Sequence, residues 1–238
     1  YGNSLTTLKL SASNTKLTTL NCHTNKLRSI DLSNKILLEE LQCYDNNLTS
    51  LYLNDCELLE RLECHDNQLA SLNLSKNVRL TRLNCKNNYL TNLKLENNTL
   101  LETATVNQQK STRRFQIMSN NSNVNDTWAL SVGTTDASRI RNLKIDGVSK
   151  SVTMIPNNSD GWMIVSNDLK KIPQKVEYEF NTGNSIAGWM SVVVNYHVCN
   201  YGVYIDDTEL TSLNFYDIPG LKSGTAYLMD ETEGIGWS

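Results

Sequence analysis

Hydrophobic and polar positions follow two rhythms along the chain, and the change from one to the other divides it. From Leu17 to Gln109 the pattern repeats every 21 residues. Leu20, Leu41, Leu62 and Leu83 recur at that spacing. Two residues after each stands a cysteine, Cys22, Cys43, Cys64 or Cys85, with Val106 on the fifth rung. Three residues further come Asn25, Asn46, Asn67 and Asn88, closed by Gln109, and then Leu27, Leu48, Leu69 and Leu90. A period of this length belongs to a solenoid in which each copy buries its apolar face against its neighbours. Within Leu20-Asn21-Cys22 the apolar and polar positions alternate, as a strand with one buried face requires. Stacked copies therefore form a parallel sheet with a leucine ladder and a cysteine ladder inside. The asparagine stands where the chain leaves the strand, and its amide can satisfy backbone groups that a buried turn would orphan. Asp66, one residue before Asn67, reads as exposed. The second half of each copy carries its own apolar positions, Leu27, Ile30 and Leu32 in the first and Leu90, Leu93 and Leu95 in the fourth. Roughly ten residues leave no room for a stable helix plus two turns. An extended convex side is predicted, with Tyr52 and Lys94 on it.

The unit L-x-x-L-x-C-x-x-N-x-L, carried by segments such as "LTSLYLNDCELLERLECHDNQLASLNLSKNVRLTRLNCKNNYLTNLKL", resembles the cysteine-ladder leucine-rich repeats of internalin-like bacterial surface proteins. The resemblance covers residues 5–109. It implies a right-handed leucine-rich-repeat solenoid in a secreted or wall-attached bacterial protein that binds something through its curved face, without saying what. The main expectation is an adhesin or surface receptor contacting a host protein or glycan. The sequence departs from the pattern at both ends: the step from Leu10 to Leu17 is one residue longer than in later copies, and Val106 replaces a cysteine. End repeats of solenoids are commonly atypical because they cap the array. Residues 1–16, with Leu5, Leu8 and Leu10, read as a degenerate first copy.

After Gln109 the period stops. The polar run Lys110–Arg114 places a domain boundary, giving a repeat domain at 1–109. From Phe115 to Val198 apolar residues simply alternate: Phe115/Ile117, Trp128/Leu130/Val132, Val152/Met154, Trp162/Ile164, Val176/Tyr178/Phe180 and Met190/Val192/Val194/Tyr196/Val198. Each reads as a strand with one buried face. Asp146-Gly147 is a two-residue hairpin signal, and "NNSDG" and "NTGN" mark further turns. This spacing argues for an antiparallel β-sandwich over residues 110–200, with the immunoglobulin type as one possible form. The inter-sheet disulfide and its tryptophan are not discernible. Trp162 and Trp189 fit core or edge packing better than sugar platforms. Residues 201–238, with "ELTSLN" and "SGTAYL", resemble a short β module found after repeats in bacterial surface proteins. Alternatively they begin a further domain; with few apolar residues for a core of their own, they are expected to dock on the sandwich.

Composition narrows the function classes. A net charge of −3 and a pI near 5.7 give no reason to expect nucleic acid or an anionic membrane surface as partner. No apolar run approaches the roughly 18 residues of a membrane span, so no direct membrane insertion is expected. Tyr1 is not a translation start, and the chain reads as a mature or trimmed fragment. Six cysteines in an exported protein would ordinarily mean disulfides. Four of them, however, occupy one ladder with a strand spacing of about 4.8 Å, wider than the Cβ separation of about 3.5–4.5 Å that a disulfide needs. They are expected to be free, buried small hydrophobes. Cys56 takes the place of Asn77 and Asn98 on the convex side, and Cys199 stands alone.

The sequence carries no metalloprotease, nucleophile-elbow, phosphate-loop or dinucleotide motif, so neither an enzyme nor a cofactor is expected. His23 and His65 share a column with Tyr44 between them, and their separation of about 9–10 Å argues against a shared metal ion. Glu177 and Glu179 are spaced like a glycosidase pair but lie opposite Val176, Tyr178 and Phe180, on a solvated strand face. Asp206-Asp207 and the acidic run at 230–233 do not fit a calcium loop. What remains is recognition. Solvent-facing positions of the stacked strands form three columns: Thr19, Glu40, Arg61, Arg82; Asn21, Gln42, Glu63, Asn84; and His23, Tyr44, His65, Lys86. Tyr44, Arg61, His65, Arg82 and Lys86 are the candidate binding residues, because tyrosine and arginine are enriched in central hot spots. Glu40 and Glu63 flank Arg61 and compete for it. The alternatives are a non-catalytic targeting module of a larger extracellular enzyme, or a structural stalk.

Overall fold

The computed structural model describes residues 2–11, 15–112, 116–118, 127–155, 161–167, 173–195, 201–205, 208–210, 227–230 and 235–237. These are mainly β, and their one helical feature is the 3-10 turn Ala137–Arg139. Residues 1–196 form one compact unit and residues 197–238 another.

The repeats build a parallel five-stranded sheet from β1 (Thr19–Asn21), β2 (Glu40–Gln42), β3 (Arg61–Glu63), β4 (Arg82–Asn84) and β5 (Thr103–Thr105), in chain order. The register pairs Leu20 with Leu41, Leu41 with Leu62, and Leu62 with Leu83, so every residue lies beside its counterpart one repeat away. The leucine and cysteine ladders are buried, with Cys43, Cys64 and Cys85 fully excluded from solvent. All five described cysteines are free.

Asparagine locks one repeat to the next. Asn67 Nδ2 donates to the carbonyls of Cys43 (3.0 Å), Cys64 (3.2 Å) and His65 (3.2 Å), while its Oδ1 accepts from Leu48 N (2.9 Å). Asn46 and Asn88 repeat the arrangement, and the longer Gln109 reaches Cys85 and Val106 carbonyls and Leu90 N on the last rung. At the other end, Asn25 Oδ1 accepts from Leu5 N, so the degenerate first copy uses the same bond.

The return half of each repeat holds no helix. It closes in two successive turns, Lys35 N to Leu32 O and Leu38 N to Lys35 O in the first copy, with Cys56, Asn77 and Asn98 repeating them. These four residues form a second buried column. Asn77 Nδ2 donates to Leu53 and Cys56 carbonyls, and Asn98 Nδ2 to Leu74 and Asn77 carbonyls. Lys35 heads the column, 2% exposed, with Nζ on the carbonyls of Ser11 (3.3 Å) and Ser33 (3.1 Å). A lysine buried at a turn had no counterpart in the sequence reading, because its column holds a different residue type in each of the first three copies.

Two further sheets follow within the same compact unit. One has the order β10-β9-β12-β13-β6, from β6 (Gln109–Thr112), β9 (Ile140–Ile145), β10 (Val148–Ser149), β12 (Lys175–Asn181) and β13 (Trp189–Asn195). The other has the order β11-β8-β7, from β7 (Gln116–Met118), β8 (Thr127–Ser131) and β11 (Trp162–Ser166). Pairing is antiparallel except that β6 runs parallel to β13. The polar seam after Gln109 is thus an edge strand as far as Thr112; Arg113, Arg114 and Phe115 lie outside the described residues. Asp146 (φ 50°) and Gly147 (φ 80°) turn the β9–β10 hairpin, both left-handed as a two-residue turn of this type requires. Val176, Tyr178 and Phe180 are buried as expected. In β11 the expected face is reversed: Met163 and Val165 are buried, while Trp162 and Ile164 are half-buried. With four apolar residues in a row, alternation could not choose between the faces. Val152 and Met154 are half-buried beside them, joined only through a bridge from Met154 to Met163. Tyr196, Val198 and Cys199 lie outside the described residues, as does most of "NNSDG".

These sheets cover the end of the last repeat. Leu95 N donates to Thr182 O (2.8 Å), Tyr178 Oη to Thr91 O (2.7 Å) and Asn184 Nδ2 to Asn98 O (2.9 Å). The apolar core runs without a break from Leu20 to Val194.

The second unit contains an antiparallel sheet in the order β15-β14-β16-β17, from β14 (Tyr201–Ile205), β15 (Thr208–Leu210), β16 (Tyr227–Asp230) and β17 (Ile235–Trp237).

Candidate binding face

The strand registers assemble the first two expected columns residue by residue: Thr19, Glu40, Arg61, Arg82 and Thr103 in one, Asn21, Gln42, Glu63, Asn84 and Thr105 in the other. A third column lies just past the strands, where the chain begins its turn. There His23, Tyr44 and His65 stack face to face, with ring centroids 4.2 and 4.4 Å apart and planes within 9° of parallel. The spacing follows from the repeat, since rings on adjacent parallel rungs stand about 4.8 Å apart before any adjustment. The stack has a consequence for recognition. Both faces of Tyr44 are occupied, so it offers a partner only its edge and hydroxyl. It also fills the space between the two histidines, and among the described residues no group of three His, Cys, Asp or Glu could hold a metal ion.

Arg61 is tied up. Its Nε and Nη2 donate to Glu63 Oε1 at 3.0 and 2.5 Å, and Nη1 lies 3.5 Å from Glu40 Oε1. Gln42 Nε2 donates to the same Glu40 oxygen (2.5 Å), and Asn21 Nδ2 donates to Gln42 Oε1 (3.2 Å), extending the network to the first rung. His65 sits between acids as well, with Nδ1 2.6 Å from Asp66 Oδ2 and Nε2 3.9 Å from Glu63 Oε2. Arg82, exposed, and Lys86, half-buried, form no salt bridge within 4.0 Å among the described residues, although the charge of Lys86 helps hold the Asp66 carboxyl down. The five candidates therefore share one face yet differ in state. On the second and third rungs Arg61 is neutralised and carboxylates are in excess, whereas on the fourth Arg82 and Lys86 take part in no salt bridge among the described residues.

A further column escaped the sequence reading. Thr24, Asp45, Asp66, Asn87 and Gln108 all have positive φ, between 54° and 63°, each one residue before the buried amide. Asp and Asn tolerate this left-handed conformation better than most residues, and their recurrence at one position was the available signal. Asp66 is half-buried, and its carboxylate binds Asn87 Nδ2 as well as His65. Partial burial raises its pKa, but these hydrogen bonds together with the nearby charge of Lys86 outweigh it and hold the carboxyl below its usual value.

The acidic pair on β12 is dispersed into separate contacts. Glu179 accepts from Arg141 Nε (2.5 Å) and Asn142 Nδ2 (3.1 Å), and Glu177 lies 2.8 Å from Lys175 Nζ. The guanidinium of Arg141 covers a face of Trp189 at 4.0 Å. Asp206, Asp207 and residues 231–233 lie outside the described residues.

No family model matches the chain, and neither does any curated protein. Among solved structures, a functional domain of InlJ from Listeria monocytogenes that includes a cysteine ladder matches with a TM-score of 0.31 and 16% identity. The match spans 79% of this chain and 64% of that one, less than two thirds of its length.

Proposed function

We propose that the chain belongs to an exported bacterial surface protein that recognises a host protein or glycan through the concave, strand-lined face of its repeats. The observation that carries this reading is the Arg82–Lys86 rung, without a salt bridge among the described residues, on a sheet whose every repeat is locked to the next by buried amides. A rigid face binds with little ordering cost, and Arg82, which no carboxylate of the described residues pairs, is free to meet an acidic group with Lys86 beside it. The internalin-like repeat signature in the sequence supports the export and the surface location. On this reading the chain is a binding protein without catalytic function, and the sheets of residues 109–195 are the layers of a β-sandwich of immunoglobulin-like type. Arg82 and Lys86 lead the interface, Tyr44 adds its hydroxyl edge, and Arg61 and His65 hold the acidic network in place.

The intact chain would be screened against arrays of host proteins and glycans, and each hit retested with two variants. Arg82→Ala with Lys86→Ala is expected to keep the fold and lose binding at least about tenfold, the scale of one hot-spot residue. Glu57→Ala with Lys76→Ala, on the return side, is expected to bind normally. Loss of binding in the second variant and not the first overturns the assignment of the face.

A further inference from the structure

The return half of the repeats carries columns of its own at the same spacing. One reads Asp31, Tyr52, Asn73, Lys94; it is flanked by Ser29, Ser50, Ser71, Asn92 and by Ser33, Asn54, Ser75, Glu96. Grooves lie between successive turns. One of about 400 Å³ separates the first and second repeats, with Ser29, Asp31, Ser33, Tyr52, Asn54 and Asp55 around a floor of buried Ile30 and Leu32. Another of about 420 Å³ lies two repeats on, where Asn73 and Lys94 take the places of Asp31 and Tyr52. The same backbone groove thus occurs once with an aromatic ring and once without.

Tyr52 is 75% exposed, against 40% for Tyr89. Tyr44 is sandwiched between histidines, and Trp189 lies under Arg141. Beside Tyr52 in its column stand Asp31 and Asn73, both too short to cover its ring. Its neighbours are also set up to accept hydrogen bonds in a fixed orientation. Asp31 Oδ1 accepts from Ser33 N (3.0 Å) and Asp55 Oδ2 from Asn34 N (2.9 Å). Each bond anchors a carboxylate and leaves most of its acceptor capacity free. Asn54 adds amide donors. The lysine of the adjacent turn, Lys35, is buried with its Nζ on two carbonyls; its charge reaches Asp31, but its ammonium is not exposed in the groove, where the two carboxylates stand.

We propose that the groove between the first and second repeats is a saccharide-binding site for a neutral hexopyranose chain. The exposed ring of Tyr52 takes the apolar C–H face of one sugar, and Asp31, Asn54 and Asp55 take its hydroxyls. A pyranose presents an apolar face beside a rim of hydroxyls, and this groove presents the complement of both. Acidic sugars are disfavoured by the two carboxylates. The site is on the side opposite the strand-lined face and does not depend on the function proposed for that face.

The probes are maltohexaose, cellohexaose and hexa-N-acetylchitohexaose, titrated into the intact chain by calorimetry and by NMR of ring-labelled tyrosines. At least one is expected to bind and to shift the Tyr52 ring signals. Tyr52→Ala should weaken that binding about tenfold, and Tyr52→Phe should leave it within about twofold, because stacking needs the ring and not the hydroxyl. Far-UV circular dichroism should show both variants folded. Three outcomes overturn the proposal: no probe binds, binding survives Tyr52→Ala, or binding is lost instead in Arg82→Ala with Lys86→Ala.

Discussion

Asn67 makes four hydrogen bonds to backbone groups of two repeats and is 5% exposed, which makes its amide a structural part of the stack. Asn67→Ala leaves Leu48 N and the carbonyls of Cys43 and Cys64 without that partner. At roughly 1–3 kcal/mol for each buried group left unsatisfied, a loss of at least about 2 kcal/mol is expected. Asp66, read from sequence as a neutral exposed neighbour, is not one. Alanine there would have to hold a φ of 54° and would drop the bonds to His65 and Asn87. An intermediate cost of about 1–2 kcal/mol follows from the left-handed backbone alone. Exposed Glu57→Ala should stay within about 0.5 kcal/mol. Urea unfolding of the three variants tests this order, and equal midpoints for Asn67→Ala and Glu57→Ala would refute the amide ladder.

At the scale of the element, the stacked cysteines make the repeats sensitive to alkali. Burial pushes the thiols of Cys22 and Cys56 up to about 11 and Cys85 up to about 12, with Cys43 and Cys64 also well above the usual thiol value. A raised folded pKa means that the fold favours the protonated thiol. Its contribution is therefore complete below the unfolded pKa of about 8.5 and is lost as pH rises through the folded value. Between these limits each thiol that ionises only in the unfolded chain removes about 1.4 kcal/mol per pH unit. The melting temperature should fall from pH 8.5 towards 11, and less steeply in Cys64→Ala, which has one such thiol fewer. Parallel pH profiles for the two proteins would show that the ladder thiols are accessible and unshifted. Native-state alkylation should be slow for the same reason, since the thiolate is the nucleophile.

The whole of the first unit shares one core, and this sets how it unfolds. Leu90, Leu93, Leu95, Leu101 and Val106 close the last repeat and are all buried within the same cluster as Tyr178 and Val192. Solenoid ends need a cover because their last rung has no neighbour; here the sheet of β12 and β13 supplies it. Of the four tryptophans, Trp237 belongs to the second unit and is removed for this test as Trp237→Phe. Trp128, Trp162 and Trp189 lie after the repeats, so their fluorescence reports on the covering sheets while far-UV signal includes the repeat ladder. The two probes should give coincident urea transitions. Tyr178→Phe, which removes the 2.7 Å bond to the Thr91 carbonyl, should shift both midpoints together, with a cost of roughly 1–3 kcal/mol. Two separated transitions would mean that the repeats and their cover are energetically independent.

The sequence by itself determined the ladders, the register and the membership of the three columns. A 21-residue period places each side chain beside its own counterpart, so local spacing already contains the neighbour relation. The buried amides, the free cysteines and the absence of a helix on the return side were legible for the same reason. Only the tertiary structure decided which members of a column are available. Tyr44 and Arg61 stand where the period puts them, but ring stacking covers one and two carboxylates neutralise the other. Those outcomes depend on side-chain rotamers across adjacent rungs, which a spacing does not encode. The buried side of Trp162–Val165, the inward turn of Lys35 and the parallel joint of β6 with β13 were likewise hidden. Each is settled by a partner the local pattern does not contain: an opposing face, the carbonyl of Ser11 24 residues away, or a strand more than 80 residues further along the chain.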